Sequence, residues 1–158
     1  MRKYKLTDET TTIVHCGAEI TLHRIQALRD FCHIKAGDLG GFVESEANLS
    51  HEGDCWIYGY AEVYGNADIY GNAEISGYAE VYGNAEIYGN AKVSGYAEVY
   101  GNAEVFGNAK VFGYAEVFGN ATVGGNARVF GNAEVSGSSK VCGDTVLDAV
   151  TPYWAYNL

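Results

Sequence analysis

The chain has 158 residues, enough for one domain, and 20 acidic against 10 basic side chains give a formal net charge of −10. Direct nucleic-acid binding needs a basic footprint and anionic lipid repels an acidic surface, so neither is an expected partner, and no apolar run is long enough to span a bilayer. The N-terminus has basic residues but no apolar stretch behind them, which reads as a cytoplasmic protein whose Cys16, Cys32, Cys55 and Cys142 are free thiols.

In chain order, residues 10–14 and 19–28 predict two strands around a Cys16-Gly17 turn. Gly37 and the pair Gly40-Gly41 then lead onward. His15-Cys16 and Cys32-His33 form a candidate metal set if the hairpin brings them together, since zinc takes such ligands. Adjacent His-Cys pairs lack the usual loop between ligands, so ordinary hairpin residues are the plainer reading.

Residues 58–147 fall into fifteen unbroken hexads of consensus aromatic-Gly-Asn-Ala-acidic-Val, and residues 52–57 are a degenerate sixteenth in the same register. Val or Ile in the sixth place suits a strand. Ala in the fourth place lies two residues away, so both point to one side, which must be the interior. Gly in the second place and Asn in the third tolerate left-handed backbone angles, so each hexad reads as a short strand and a corner. A helix is excluded, because each interior glycine would cost about 1 kcal/mol against alanine.

A longer period lies above the first. Tyr60, Tyr78, Tyr96 and Tyr114 replace the third-place Asn at a spacing of 18 residues, so three strands make one turn. With strands about 4.8 Å apart, five coils stand about 24 Å tall. Fifth-place charge then depends on the face. Glu62, Glu80, Glu98, Glu116 and Glu134 form an acidic column, while Lys92, Lys110 and Arg128 make another face mainly basic. The first place points outward and carries tyrosines early and Phe106, Phe112, Phe118 and Phe130 late. Exposed phenylalanines make an apolar patch, so a homo-oligomeric contact is expected there. The four Tyr replacements beside the acidic column suggest a binding face for a basic protein surface, through cation–π and ionic contacts. Residues 148–158 carry three aromatics outside the repeat and read as a C-terminal cap, opposite an N-terminal cap and lead-in over residues 1–51.

Val63-Tyr64-Gly65-Asn66-Ala67-Asp68 has an aliphatic residue followed four places later by a small one, and over residues 52–147 the chain resembles the hexapeptide-repeat family. That resemblance implies an all-β, left-handed parallel β-helix, an exception to right-handed crossovers. Ile25-Gln26-Ala27-Leu28-Arg29-Asp30-Phe31, Lys35-Ala36-Gly37, Gly40-Gly41-Phe42-Val43 and Gly53-Asp54-Cys55-Trp56-Ile57-Tyr58 resemble the opening of YdcK-like bacterial proteins, described as hexapeptide transferases, and of phage and prophage proteins. The present coil is shorter and more regular than theirs.

Family acyltransferases use a histidine base and trimeric sites, so the resemblance makes a homotrimeric acyltransferase the enzyme alternative. His51 is then the candidate base. The four histidines all precede the regular coil, no hexad carries an insertion to wall a cofactor pocket, and no cofactor is expected. The leading expectation is a non-catalytic scaffold or interaction module, of phage-derived type. A third class is an acidic mimic that occupies a nucleic-acid-binding or host-defence protein.

Overall fold

The computed structural model describes residues 2–148. The C-terminal cap expected over 148–158 therefore lies, from residue 149 on, outside the described residues. The rest is a three-sided parallel β-helix. One face stacks β3 (Leu39–Val43) with Glu62–Val63, Glu80–Val81, Glu98–Val99, Glu116–Val117 and Glu134–Val135. The second stacks Asp68–Ile69, Glu86–Ile87, Glu104–Val105, Thr122–Val123 and Lys140–Val141, headed by a bridge from Leu49 to Ile69. The third stacks Trp56–Ile57, Glu74–Ile75, Lys92–Val93, Lys110–Val111, Arg128–Val129 and Val146–Leu147. Residues 18 apart pair in register, as in Glu80↔Glu98 and Val81↔Val99, giving about six coils.

The interior follows the hexad pattern. The fourth-place alanines from Ala61 to Ala133 and the sixth-place Val or Ile residues are buried in one continuous core. All sixteen second-place glycines have φ between 62° and 69°. A Cβ on Gly101 would stand 2.9 Å from the nitrogen of Gly119, so the corner needs glycine for both its backbone angle and its closeness to the next coil.

The third place departs from expectation. Among the described residues only Cys16 and Cys32 are non-glycines with positive φ, so Asn does not share the left-handed backbone. Its side chain explains it instead. Asn66 donates its amide to Asn84 at 3.2 Å, Asn84 to Asn102 and Asn102 to Asn120 at 3.1 Å, and a second amide ladder runs from Asn72 to Asp144.

At the N-terminal end, β1 (Tyr4–His15) and β2 (Ala18–Ala27) form an antiparallel hairpin, and β2 pairs with β3 to continue the first face. β1 starts six residues before the expected strand. A register shift between Leu6 and Thr10 carries the pairing through the polar stretch that interrupts the apolar alternation.

The first coil has no coil before it to donate to its carbonyls. Farther down, Gly71 and Ala73 oxygens accept from Cys55 and Trp56 N–H groups. One coil earlier the buried Lys3 ammonium stands in, donating to Gly53 O at 3.3 Å and Cys55 O at 2.7 Å. Asn48, also buried, does the same at the next corner for Gly65 O and Ala67 O, and the Tyr4 hydroxyl donates to Leu49 O at 2.6 Å. Burial pushes the Lys3 pKa down and that of the neighbouring Cys55 thiol up.

Lys3→Met should therefore leave two carbonyls without a donor and cost on the order of 1–3 kcal/mol in chemical denaturation. An unchanged unfolding midpoint contradicts this capping role.

Candidate binding surface

The first-place rings stack along the corners at the coil spacing. Tyr64–Tyr82, Tyr82–Tyr100 and Tyr100–Phe118 centroids lie 4.9–5.0 Å apart with nearly parallel planes. Five of the tyrosines lean so that the hydroxyl reaches the fifth-place side chain sixteen residues later. Tyr58 donates to Glu74 and Tyr100 to Glu116 at 3.3 Å, while Tyr70, Tyr82 and Tyr88 donate to Glu86, Glu98 and Glu104 at 3.1 Å. Burial and the carboxylate together raise these phenol pKa values, that of Tyr70 to about 12.

This geometry explains most of the charge pattern. Every first-place Tyr has Glu sixteen residues on. Ser76, Ser94, Phe106, Phe112, Gly124 and Phe130 have instead Lys92, Lys110, Thr122, Arg128, Lys140 and Val146. Phe118 with Glu134 is the exception. A carboxylate is placed where a hydroxyl needs an acceptor, and this correlation was readable in the sequence but is not evident from period alone.

The corner between the third and first faces departs from the rule. Tyr60, Tyr78, Tyr96 and Tyr114 stack at 5.6, 5.3 and 5.1 Å, and each remains between 52% and 62% exposed. They stand where the other two corners run amide ladders, so four coils give up those hydrogen bonds for an exposed aromatic row. Stacking covers most ring faces. The outer face of Tyr60 already holds the Arg24 guanidinium at 5.6 Å, and Arg24 also pairs with Glu9 at 2.9 Å. The row therefore presents ring edges and hydroxyls outward rather than open faces for cations. Beside it runs the column Glu62, Glu80, Glu98, Glu116 and Glu134. Burial raises the pKa of Glu62 and, with its carboxylate neighbours, that of Glu80 and Glu116.

The same corner carries a notch of about 380 Å³ lined by His33, Tyr58, Glu74, Ser76, Lys92 and Ser94. Its cause is visible in the column of first-place residues, Tyr58, Ser76, Ser94, Phe112 and Phe130, where two consecutive rings are missing. Tyr58 hydroxyl meets His33 Nε2 at 3.1 Å, and Lys92 pairs with Glu74 at 3.1 Å.

The other candidate residues fall elsewhere. Phe106, Phe112, Phe118 and Phe130 do not form one patch. Six residues carry the chain to the next face, so they belong to three separate columns, stacked on Tyr88, Tyr100 and one another and partly buried. The single apolar patch expected of them is thus corrected to three columns of stacked rings. The two His-Cys pairs form no metal-binding group among the described residues: the His15 ring packs on Tyr64 and Tyr82, whereas Cys32 Sγ meets its neighbour His33, which meets Tyr58. His51 is part of the cap. Its Nδ1 accepts from Lys3 N–H at 3.1 Å, which puts the proton on Nε2 facing Glu46 at 2.9 Å, and its ring stacks on Tyr4. Both nitrogens are thus engaged within the cap. Lys3, Tyr4 and Asn48 were missed because their partners lie up to 52 residues away.

Repeat and geometry together define a parallel β-solenoid of hexapeptide repeats. No family model matches the chain. An uncharacterized acetyltransferase of Escherichia coli (strain K12), YdcK, is 37% identical over 62 residues, covering 37% of this chain. The chain matches only 19% of that relative's length. Among the described residues no helix is long and apolar enough to cross a membrane.

The raised carboxylates set a sign for pH dependence. Glu62 and Glu80 hold protons more readily folded than unfolded, so their contribution to stability falls as pH climbs from the ordinary value of 4.5 through the raised folded values. Wild type should lose stability relative to Glu62→Gln/Glu80→Gln as pH rises above the ordinary carboxylate value of 4.5. A gap in urea midpoints that stays constant with pH contradicts the burial effect.

Proposed function

We propose that the chain is a non-catalytic β-helical scaffold whose tyrosine–glutamate corner binds a basic protein surface. The observation that carries this reading is the exposed row Tyr60, Tyr78, Tyr96 and Tyr114, set in register beside Glu62, Glu80, Glu98, Glu116 and Glu134. A rigid stack spaces identical groups at the coil repeat, which suits an extended partner. Lysine or arginine of the partner pairs with the carboxylates, and the phenol edges supply hydrogen bonds and contact area at low entropic cost. The cation–π component is confined to the ends of the row, because the internal faces are stacked.

Part of the acidic column has a structural duty: Glu98 and Glu116 accept from Tyr82 and Tyr100. Among the described residues Glu62, Glu80 and Glu134 accept no such hydroxyl bond, and burial raises the pKa of Glu62 and Glu80. An acyltransferase is the second reading. It is favoured by the 62-residue match to a protein whose name includes acetyltransferase, and acetyl-CoA binding by calorimetry tests it separately.

For the leading reading, Glu80→Gln/Glu98→Gln/Glu116→Gln keeps an acceptor for each phenol, and Tyr78→Asn/Tyr96→Asn installs the side chain used at the other corners. Both variants should stay folded, and the Gln variant should melt no lower than wild type. Each should bind a basic partner, recovered from lysate and purified, about tenfold or more weakly, with wild-type binding falling as salt rises. Full binding by both folded variants contradicts the assignment.

A further inference from the structure

We propose that the notch lined by Tyr58, Ser76, Lys92 and Ser94, continued by the empty rung that the repeat places between Ser94 and Phe112, is a binding site for a flat aromatic ring bearing an anionic group. The proposal does not rest on the tyrosine–glutamate reading. It rests on a coordinated double departure from the repeat. Wherever the first place is Tyr, a Glu sixteen residues later stands ready to accept a hydrogen bond. Five of these bonds are formed. At Ser76 and Ser94 the ring is removed, and at Lys92 and Lys110 the acceptor is replaced by a cation. Either change alone would be a local variation. Together, on two successive coils, they remove a ring and set a lysine at the position that the hydroxyl of such a ring reaches elsewhere.

The dimensions follow from the stack. Neighbouring rings elsewhere lie 4.9–5.3 Å apart, so two absent rings leave two empty rungs. Tyr58, hydrogen-bonded to His33, stands at the upper end. Below, Phe112 is the next rung and stacks on Phe130 at 5.0 Å. A ligand ring at the level of Ser94 would therefore continue an existing aromatic column, with one face towards Phe112. In the formed pairs the ring's terminal oxygen falls 3.1–3.3 Å from the side chain sixteen residues on. By the same repeat, the substituent of a ring in the Ser94 rung reaches the site of Lys110.

Charge decides between the two rungs. At the upper one, Lys92 is already paired with Glu74, which also accepts from Tyr58. At the lower one, Lys110 is exposed and has no ion pair among the described residues, and its neighbour in the column is Arg128. The lower rung is thus the seat of the anionic head. Ser76 and Ser94 hydroxyls supply the polar floor. The ligand chemistry is an aryl phosphate, sulfate or carboxylate, either free or as a modified tyrosine of a peptide.

The test uses the whole chain and titrates phenyl phosphate by calorimetry or NMR, with inorganic phosphate and phenol as controls. Phenyl phosphate should bind about tenfold or more tightly than either control, since ring and charge are both read. The quadruple variant Ser76→Tyr/Lys92→Glu/Ser94→Tyr/Lys110→Glu restores the pattern used by the rest of the coil. It should fold with an unchanged or raised melting temperature and lose phenyl phosphate binding. Lys110→Gln, a surface change, should weaken binding while leaving the fold intact. A phosphotyrosine peptide that binds more tightly than phenyl phosphate would assign the ring to a protein ligand, and equal affinities to a free small molecule. Phenyl phosphate binding no tighter than phosphate and phenol, or undiminished binding by the folded Lys110→Gln variant, overturns the proposal.

Discussion

The structure depends on one close contact: a glycine in left-handed conformation packed against the glycine 18 residues later. At Gly83, Gly89, Gly95 and Gly101 an added Cβ would stand 2.9 Å from the nitrogen of the glycine one coil on. From Gly65 to Gly125 that approach leaves almost no side-chain volume at the second place. It brings successive coils near enough for the third-place N–H to reach the second-place carbonyl of the next coil, as Asn84 does to Gly101 at 2.7 Å. Once the corners are locked in register, every other position becomes a column. Alanine and valine columns close the interior, amides bond along two corners, and tyrosine rings stack over their own carboxylate acceptors.

Column logic also separates structure from function. A departure confined to one residue disturbs one rung. A departure repeated at 18 residues rewrites a surface. One corner carries three such departures in the same coils, with serine for the ring at 76 and 94, tyrosine for asparagine at 78 and 96, and lysine for glutamate at 92 and 110. The tyrosines are not required by the backbone, since among the described residues no third-place residue has positive φ. Five of the acidic residues, by contrast, are accounted for by tyrosine hydroxyls that need acceptors.

The fold was legible in the sequence because each hexad repeats the same steric demands at Gly101, Ala103 and Val105, and because Tyr60, Tyr78, Tyr96 and Tyr114 reveal the 18-residue coil. The site was legible in part. The tyrosine row and acidic column were found from their spacing, and the rings do stack in register. The role of third-place asparagine was misread, because its side chain and not its φ explains it. The phenylalanines were grouped by nearness in sequence, although six residues separate faces. The capping of the first coil by Lys3, Asn48 and Tyr4 was hidden, since these side chains replace donors of a coil that does not exist. The notch required knowing where a phenol oxygen ends in space.

Thermal and urea unfolding of Gly101→Ala tests the register most directly, at a corner away from the tyrosine row. Left-handed backbone alone costs a non-glycine residue about 1–2 kcal/mol, and contact with Gly119 adds to it. The expected result is a loss of about 2 kcal/mol or more, well beyond that of Asn102→Ala, which removes only amide rungs. Unchanged stability in Gly101→Ala would contradict the glycine contact as the basis of the coil.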